Sequence, residues 1–337
     1  MSTQNSKCFY QNGLLNFPQP FSITNSLMMS FLFQSDLKSL QTVCDKWLNI
    51  PTGNELNYIP ISSMILVTFS NNGQSGPTTE PYVDWGTVAY QEVILSMFVA
   101  RVNKEGEVWI IENVSTLVPY IFVTEGIVMG SGREVYGMPK TLGWVEMPYT
   151  TTDNMNTFSL KTIGTPLFKK GQQFSKDVIF SINETSEISP PLSTDWKDLE
   201  EASAALKKII FGEGHIDLPG INLIIEIAEL FMKKELPFTS LRQLRSISSA
   251  DEAAFKEVVD FSAKATSFNG GGVLKGTYFL TLPEQALFPI AEDLGLKDGQ
   301  PALAGFWINW DFIFENGTEI WSFTNKKTLI ERIESVI

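Results

Sequence analysis

Strand-like runs cut by Gly, Pro and Asn recur along most of the chain, and they constrain its fold more than any other feature. "IPISSMILVTFS" (60–71), "QEVILSMFVARV" (91–102), "EVWIIENV" (107–114) and "LVPYIFVTEGIVMG" (117–130) are rich in β-branched and aromatic residues. Such side chains suit a pleated, half-buried surface. Further runs are "TFSLKTIG", "KDVIFSI", "FTSLRQLRSIS", "FKEVVDFSAKATSF", "GVLKGTYFLTL" and "ALAGFWINWDFIF". "VNKEGEVW" reads as a hairpin turn, with Gly106 supplying the permissive backbone.

Helices are fewer. "SDLKSLQTVCDKWLN" places Leu37, Leu40, Cys44 and Trp47/Leu48 at helical spacing behind Ser35 as N-cap. "TDWKDLEEASAALKKIIF" opens on Thr194, with acids in its first turns and lysines near its end, the order the helix dipole favours. "GINLIIEIAELFMKKEL" follows, and "NKKTLIERIESVI" closes the sequence. "SEISPPLSTDW" (186–196) reads as a linker. The chain is therefore read as one large β-rich domain, 1–337, with a helical insertion at about 186–236 and no internal repeat.

Composition serves mainly to exclude. With 43% hydrophobic and 12% aromatic residues the chain can bury a substantial core. A net charge of −13 opposes nucleic acid or an anionic membrane as partner, since both need clustered Lys and Arg. The longest apolar stretch, "INLIIEIAELFM", carries Glu226 and Glu229 and is too short to span a bilayer. The N-terminal "MSTQNSKCFYQNGLLNF" shows no signal-peptide pattern. Cys8 and Cys44 form neither a ligand-spaced pair nor a disulfide framework, which predicts a reducing, cytoplasmic setting. There, the sequons at Asn113, Asn183 and Asn316 are silent. The single histidine, His215, rules out multi-histidine metal sites and is read as a polar loop residue. No metal and no cofactor is called for.

"NGGGVLKGT" (269–277) is not a phosphate loop, because Lys275 precedes the last glycine and the context is strand; it is read as a tight turn between strands. Most carboxylates, as in "DLEE" and "ADEAAFKE", read as solvated faces. Glu92 heads an apolar strand, where a carboxylate is costly to bury; on residue grounds alone it is read as an exposed strand end.

Lys140, in "GSGREVYGMPKTLG" (130–143), is the strongest candidate for chemistry. An ordinary lysine amine is protonated at neutral pH and is then no nucleophile. Burial among apolar groups favours the neutral form, lowering the pKa by up to about 3–5 units. A neutral amine condenses with a ketone to an iminium, which acts as an electron sink. The bland alternative is a stem lying along apolar surface with its ammonium in water.

"GREVYGMPKTLG" resembles the Gly-Arg-Glu-x-x-x-x-Pro-Lys-Lys-Leu-Gly signature of the acetoacetate decarboxylase family, matching at Gly132, Arg133, Glu134, Pro139, Lys140, Leu142 and Gly143. "YQE" (Tyr90 to Glu92) falls where that family has an active-site glutamate, and "FLFQSDLKSL" resembles its strand-to-helix opening. "GTYFLTLPEQALFPIAEDLG" is similar, more loosely, to the region before its last strand. The resemblance implies an α+β fold, β-rich, built on a closed cone-like antiparallel β-barrel flanked by helices; the strand-rich pattern agrees with it. It implies Lys140 as the imine-forming nucleophile and Glu92 as proton shuttle. Tyr90, Met138, Thr141 and, more weakly, Arg133 are the substrate-binding candidates, with Arg133 and Glu134 expected to pair or to shape the lysine turn. A small keto acid is the implied substrate and a homo-oligomer the implied assembly. The departures are specific. The family's second lysine, which lowers the pKa of the first, is Thr141 here. "SITNSLMMSFLF" lacks the arginine expected near the N-terminal strand, and "MILVTFSNN" lacks a second acid. The expectation is an imine-forming lyase working by decarboxylation or by aldol or dehydratase-type chemistry; the alternative is a non-catalytic small-ligand-binding protein on the same barrel.

Overall fold

The computed structural model describes residues 16–105, 108–151, 153, 156–185, 192–198, 200–202, 204, 205, 208 and 235–324. Cys8, Gly106, His215, the C-terminal helix expected from Asn325 and the bulk of the 186–236 insertion lie outside the described residues.

Strand β1 (Phe21–Gln34) leads into helix α1 (Leu37–Cys44), which runs on as a π-helical turn, Asp45–Asn49. Then come β2 (Asn57–Pro60), β3 (Met64–Pro77), β4 (Val88–Glu105) and β5 (Val108–Val123). Helix α2 (Gly126–Tyr136) precedes the short strands β6 (Lys140–Leu142) and β7 (Trp144–Glu146). Strands β8 (Thr157–Gly164), β9 (Ser175–Glu184), β10 (Glu235–Arg245), β11 (Ala253–Val273) and β12 (Tyr278–Thr281) follow. Helix α3 (Ile290–Leu294), β13 (Ala304–Phe314) and β14 (Thr318–Thr324) complete the described chain.

Seven strands close on themselves in the order β4-β3-β1-β13-β11-β10-β5, with β5 returning to β4. The expected closed, β-rich barrel is therefore present. Every contact around the ring is antiparallel except one: β10 meets β5 in parallel, at Phe238↔Thr116 and Thr239↔Leu117. Between β5 and β10 the chain passes through α2 and the strands β6 to β9, the kind of crossover a parallel pair requires. A second sheet, β12-β9-β8-β7, lies beside the barrel.

Strand alternation gives β1, β3, β4 and β5 two buried faces, and the second carries the polar residues among its apolar ones. One register row is Met29, Phe69, Val93 and Phe122. It packs onto the second sheet, where Phe69 stands 5.2 Å from Phe158 and 5.8 Å from Phe180 between ring centroids. The adjacent row is Ser30, Thr68, Ile94 and Ile121, so it faces the other way. Helix α2 covers this second face: Val128, Tyr136 and Met138 share one buried cluster with Tyr90, Ile121 and Val123.

Four local expectations are corrected. The run 117–130 is not one strand: β5 ends at Val123, and "GIVMG" opens α2. Asp36, not Ser35, caps α1, its carboxylate accepting from Ser39 N at 2.9 Å, while Ser35 Oγ donates to Leu294 O at 2.6 Å. The glycines of "NGGGV" belong to β11 itself, and the turn is 274–277. Residues 193–196 run directly over these glycines: a Cβ at Gly272 would stand 2.2 Å from Ser193 O, and one at Gly271 2.7 Å from the Trp196 ring. The glycine cluster thus marks a close chain approach. Glu257, in a run read as solvated, is buried and paired with Arg242. Among the described residues no helix is long and apolar enough to cross a membrane.

Candidate active site

Two glycines place the lysine. Helix α2 ends at Gly137, whose φ of +70° is the left-handed conformation that closes a helix. A side chain there would also strike β10, since a Cβ would lie 2.6 Å from Arg242 N. Met138 N donates to Gly132 O at 3.0 Å, and Pro139 then directs the chain into β6, parallel to β5. Lys140 pairs with Ile121 and so stands on the face covered by α2. Its stem runs back across that helix at Gly132, where a Cβ would meet Lys140 Cδ at 2.4 Å and Cε at 2.6 Å. The glycine that opens "GRE" leaves room for the lysine.

The amine ends 3.3 Å from Glu92 Oε2, and each of the two side chains is 4% exposed. Glu92 lies one row along the same face, opposite Ser70 and Val123. Asn72 Nδ2 donates to its other oxygen, Oε1, at 3.4 Å. The Tyr90 ring centroid is 5.8 Å from the Lys140 nitrogen. The Tyr90 hydroxyl is sealed from water and makes no hydrogen bond of normal geometry among the described residues. Burial first and the charge of Glu92 second push this phenol well above its ordinary pKa, against a smaller opposing effect of the Ser75 hydroxyl.

These positions set aside the two bland readings: Lys140 does not reach water, and Glu92 is not an exposed strand end. An isolated buried pair of this kind adds little to stability, because desolvation offsets most of the Coulombic gain. Chemically it is versatile. One proton moved from ammonium to carboxylate gives a neutral amine beside a neutral acid, a nucleophile and a proton donor already in contact.

The structure brings Lys140, Glu92 and Tyr90 together, with Met138 buried in the same apolar cluster. It does not bring Arg133 or Thr141 to them. Arg133 lies on the exposed face of α2. No Arg133–Glu134 ion pair forms among the described residues, since adjacent helical residues diverge; Glu134 accepts instead from Asn16 Nδ2 at 2.6 Å. Thr141 pairs with Phe122, which puts it in the row of Phe69 and Val93, on the opposite face of the strand from Lys140. Position 141 therefore lies outside the immediate surroundings of the amine.

Sequence reasoning missed Ser26, Ser70 and Asn72, which stand behind Glu92. The signal was there: Ser30 sits between Met29 and Phe31, and Thr68 and Ser70 flank Phe69, which puts hydroxyls on one face of largely hydrophobic strands.

No family model matches the chain, and no curated protein sequence does. Solved structures do match, over nearly the whole length. Acetoacetate decarboxylase from Legionella pneumophila aligns with a TM-score of 0.58 at 12% identity, covering 96% of this chain and 94% of that one. The fold is that of acetoacetate decarboxylase. The enduracididine biosynthesis enzyme MppR, complexed with pyruvate, aligns with a TM-score of 0.51 at 14% identity, over 92% of this chain and 93% of its own. An acetoacetate decarboxylase-like enzyme from Sphingomonas wittichii RW1 gives 0.52 at 14%, over 94% and 99%.

Proposed function

We propose that the protein is an imine-forming lyase acting on a small keto acid through Lys140. The observation that carries this is the water-shielded contact, 3.3 Å, between the Lys140 amine and Glu92. The shared fold supports it: the similar structures are of acetoacetate decarboxylase and of MppR, the latter solved with pyruvate and with the condensation product of pyruvate and imidazole 4-carboxaldehyde.

In this reading, proton transfer to Glu92 frees the amine, whose lone pair attacks the substrate carbonyl carbon. The carbinolamine hydroxyl leaves as water with the proton held on Glu92, and the nitrogen lone pair forms the iminium. The iminium then takes up the electron pair released next to it, either as a carboxylate leaves as CO2 or as Glu92 removes a proton from the adjacent carbon. The enamine that results is reprotonated, or attacks a second carbonyl. Hydrolysis returns the amine. Decarboxylation and aldol or dehydratase chemistry share every step up to the iminium.

Borohydride trapping tests the reading. Incubation with a panel of small α-keto and β-keto acids, reduction and mass spectrometry are expected to give an adduct on Lys140. CO2 release then separates decarboxylation from condensation. No adduct with any carbonyl compound excludes imine chemistry and leaves a binding protein on the same barrel.

A further inference from the structure

Behind Glu92, Ser26, Ser70 and Asn72 continue the polar face, each with 0% of its surface exposed, and none of them enters the steps above. The register brings them together: Ser26 pairs with Asn72, Asn72 with Tyr90, and Ser70 with Glu92. Asn72 Nδ2 donates to Glu92 Oε1 at 3.4 Å. Its own Oδ1 accepts from Ser26 Oγ at 2.7 Å and from Ser70 Oγ at 2.9 Å.

A side-chain amide can turn either end towards a carboxyl group, and the surrounding hydrogen bonds decide which. The two hydroxyls donate to Oδ1, and the ionised carboxylate of Glu92, which can only accept, takes the NH2 end. With each hydroxyl proton committed to Oδ1, the 3.2 Å approach of the two serine oxygens carries no donor of its own. Turning the amide over would set Oδ1 against a carboxylate oxygen. The lock has a consequence for the proton on Glu92. A proton on Oε1 would point at the Asn72 N–H, so the carboxyl carries its proton on Oε2, the oxygen 3.3 Å from the Lys140 nitrogen. Burying this many polar groups is costly unless they satisfy one another, and here Ser26 and Ser70 donate to Asn72, Asn72 donates to Glu92, and Glu92 faces the amine.

We infer that Asn72, locked by Ser26 and Ser70, is a positioning residue that makes Glu92 a one-sided acid–base, exchanging its proton through Oε2 alone. The inference rests on the proposed roles of Glu92 and Lys140, yet the Asn72–Glu92 link is readable without turnover.

The experiment compares the full-length protein with Asn72→Leu and with the double variant Ser26→Ala, Ser70→Ala. Infrared titration follows the Glu92 carboxyl band, assigned by its loss in Glu92→Gln. The titratable groups against Glu92 are Lys140 from β6 and Tyr90 from its own strand, and both are unchanged in these variants. Removing an N–H donor from an ionised carboxylate is expected to move the titration up by about one pH unit. Where a carbonyl adduct forms, its trapping rate on Lys140 should fall about 10-fold in Asn72→Leu. The serine pair should move both readings in the same direction by less. A folded Asn72→Leu variant whose Glu92 titrates as wild type overturns the inference. So does an unmoved titration in the serine pair, which alone decides if Asn72→Leu fails to fold. If the titration moves in both variants while the wild type forms no carbonyl adduct, the positioning of Glu92 stands and the imine reading falls.

Discussion

The two faces of β1, β3, β4 and β5 alternate residue by residue, yet they make opposite contributions. On one face Phe31, Phe69, Phe158 and Phe180 interlock between the barrel and the second sheet, with the Phe31–Phe158 centroids 4.9 Å apart. Each such ring removes a large apolar area from water and supplies stability. On the other face, Ser26, Asn72, Glu92 and Lys140 are buried as deeply, and what they gain by pairing is largely consumed by desolvation. Burial alone thus says little about a residue's task. The contrast teaches that the apolar face supplies the stability that lets the other face bury polar groups which add little of their own.

The largest expected effect comes from erasing the polar face. The pair of substitutions Lys140→Met and Glu92→Gln should abolish carbonyl trapping altogether, while the melting temperature stays level or rises, because neutral groups replace a buried ion pair. Lys140→Met alone leaves Glu92 buried and unpaired, which should cost about 3–5 kcal/mol in urea unfolding. A melting temperature that fell as far in the double variant as in the single one would show that the pair is structural.

Gly132→Ala keeps both charges and displaces one. The new Cβ would fall within 2.6 Å of two carbons of the lysine stem, so the amine must move. A misplacement near 1 Å is expected to slow trapping about 100-fold. An unchanged rate would mean that the stem has another route past α2. Phe69→Ala attacks the other face and should show the reverse pattern. Stability falls by about 3–5 kcal/mol, read from denaturant midpoints, while the trapping rate per folded molecule stays within about threefold, because the Phe69 ring lies on the opposite face of the sheet from Lys140.

Much of this was legible in the sequence, and the failures have physical causes. Hydrophobic alternation located most strands, and the glycine, proline and lysine of "GREVYGMPK" pointed to a lysine turn whose glycine proves to accommodate the lysine itself. The break between β5 and α2 was not legible, because "GIVMG" is as apolar and β-branched as the strand before it. Glu92 read as exposed because a one-dimensional pattern does not show the amine that arrives from 48 residues away. Asn72 went unremarked for the same reason: its partners, Ser26 and Glu92, come from other strands. Sequence showed which residues were odd, and pairing across strands gave the oddities their meaning.

The smallest expected effect is at the position where the sequence and the structure disagree most. The resemblance of "GREVYGMPKTLG" to a Pro-Lys-Lys signature suggests that Thr141→Lys would place a charge next to Lys140 and move the pH dependence of trapping well down. The register says otherwise. Thr141 is half-buried opposite Phe122, and the strand backbone separates its side chain from Lys140. An ammonium added there projects from the opposite face of the strand to Lys140. At about 10 Å, and with the half-exposed end screened as it is in water, two unit charges interact by about 0.4 kcal/mol. That corresponds to about 0.3 pH units. Borohydride trapping rates across pH for Thr141→Lys should therefore follow the wild-type curve with a displacement under about half a unit. A full unit towards lower pH would show that the two faces are coupled through charge, and would break the separation on which the other predictions rest.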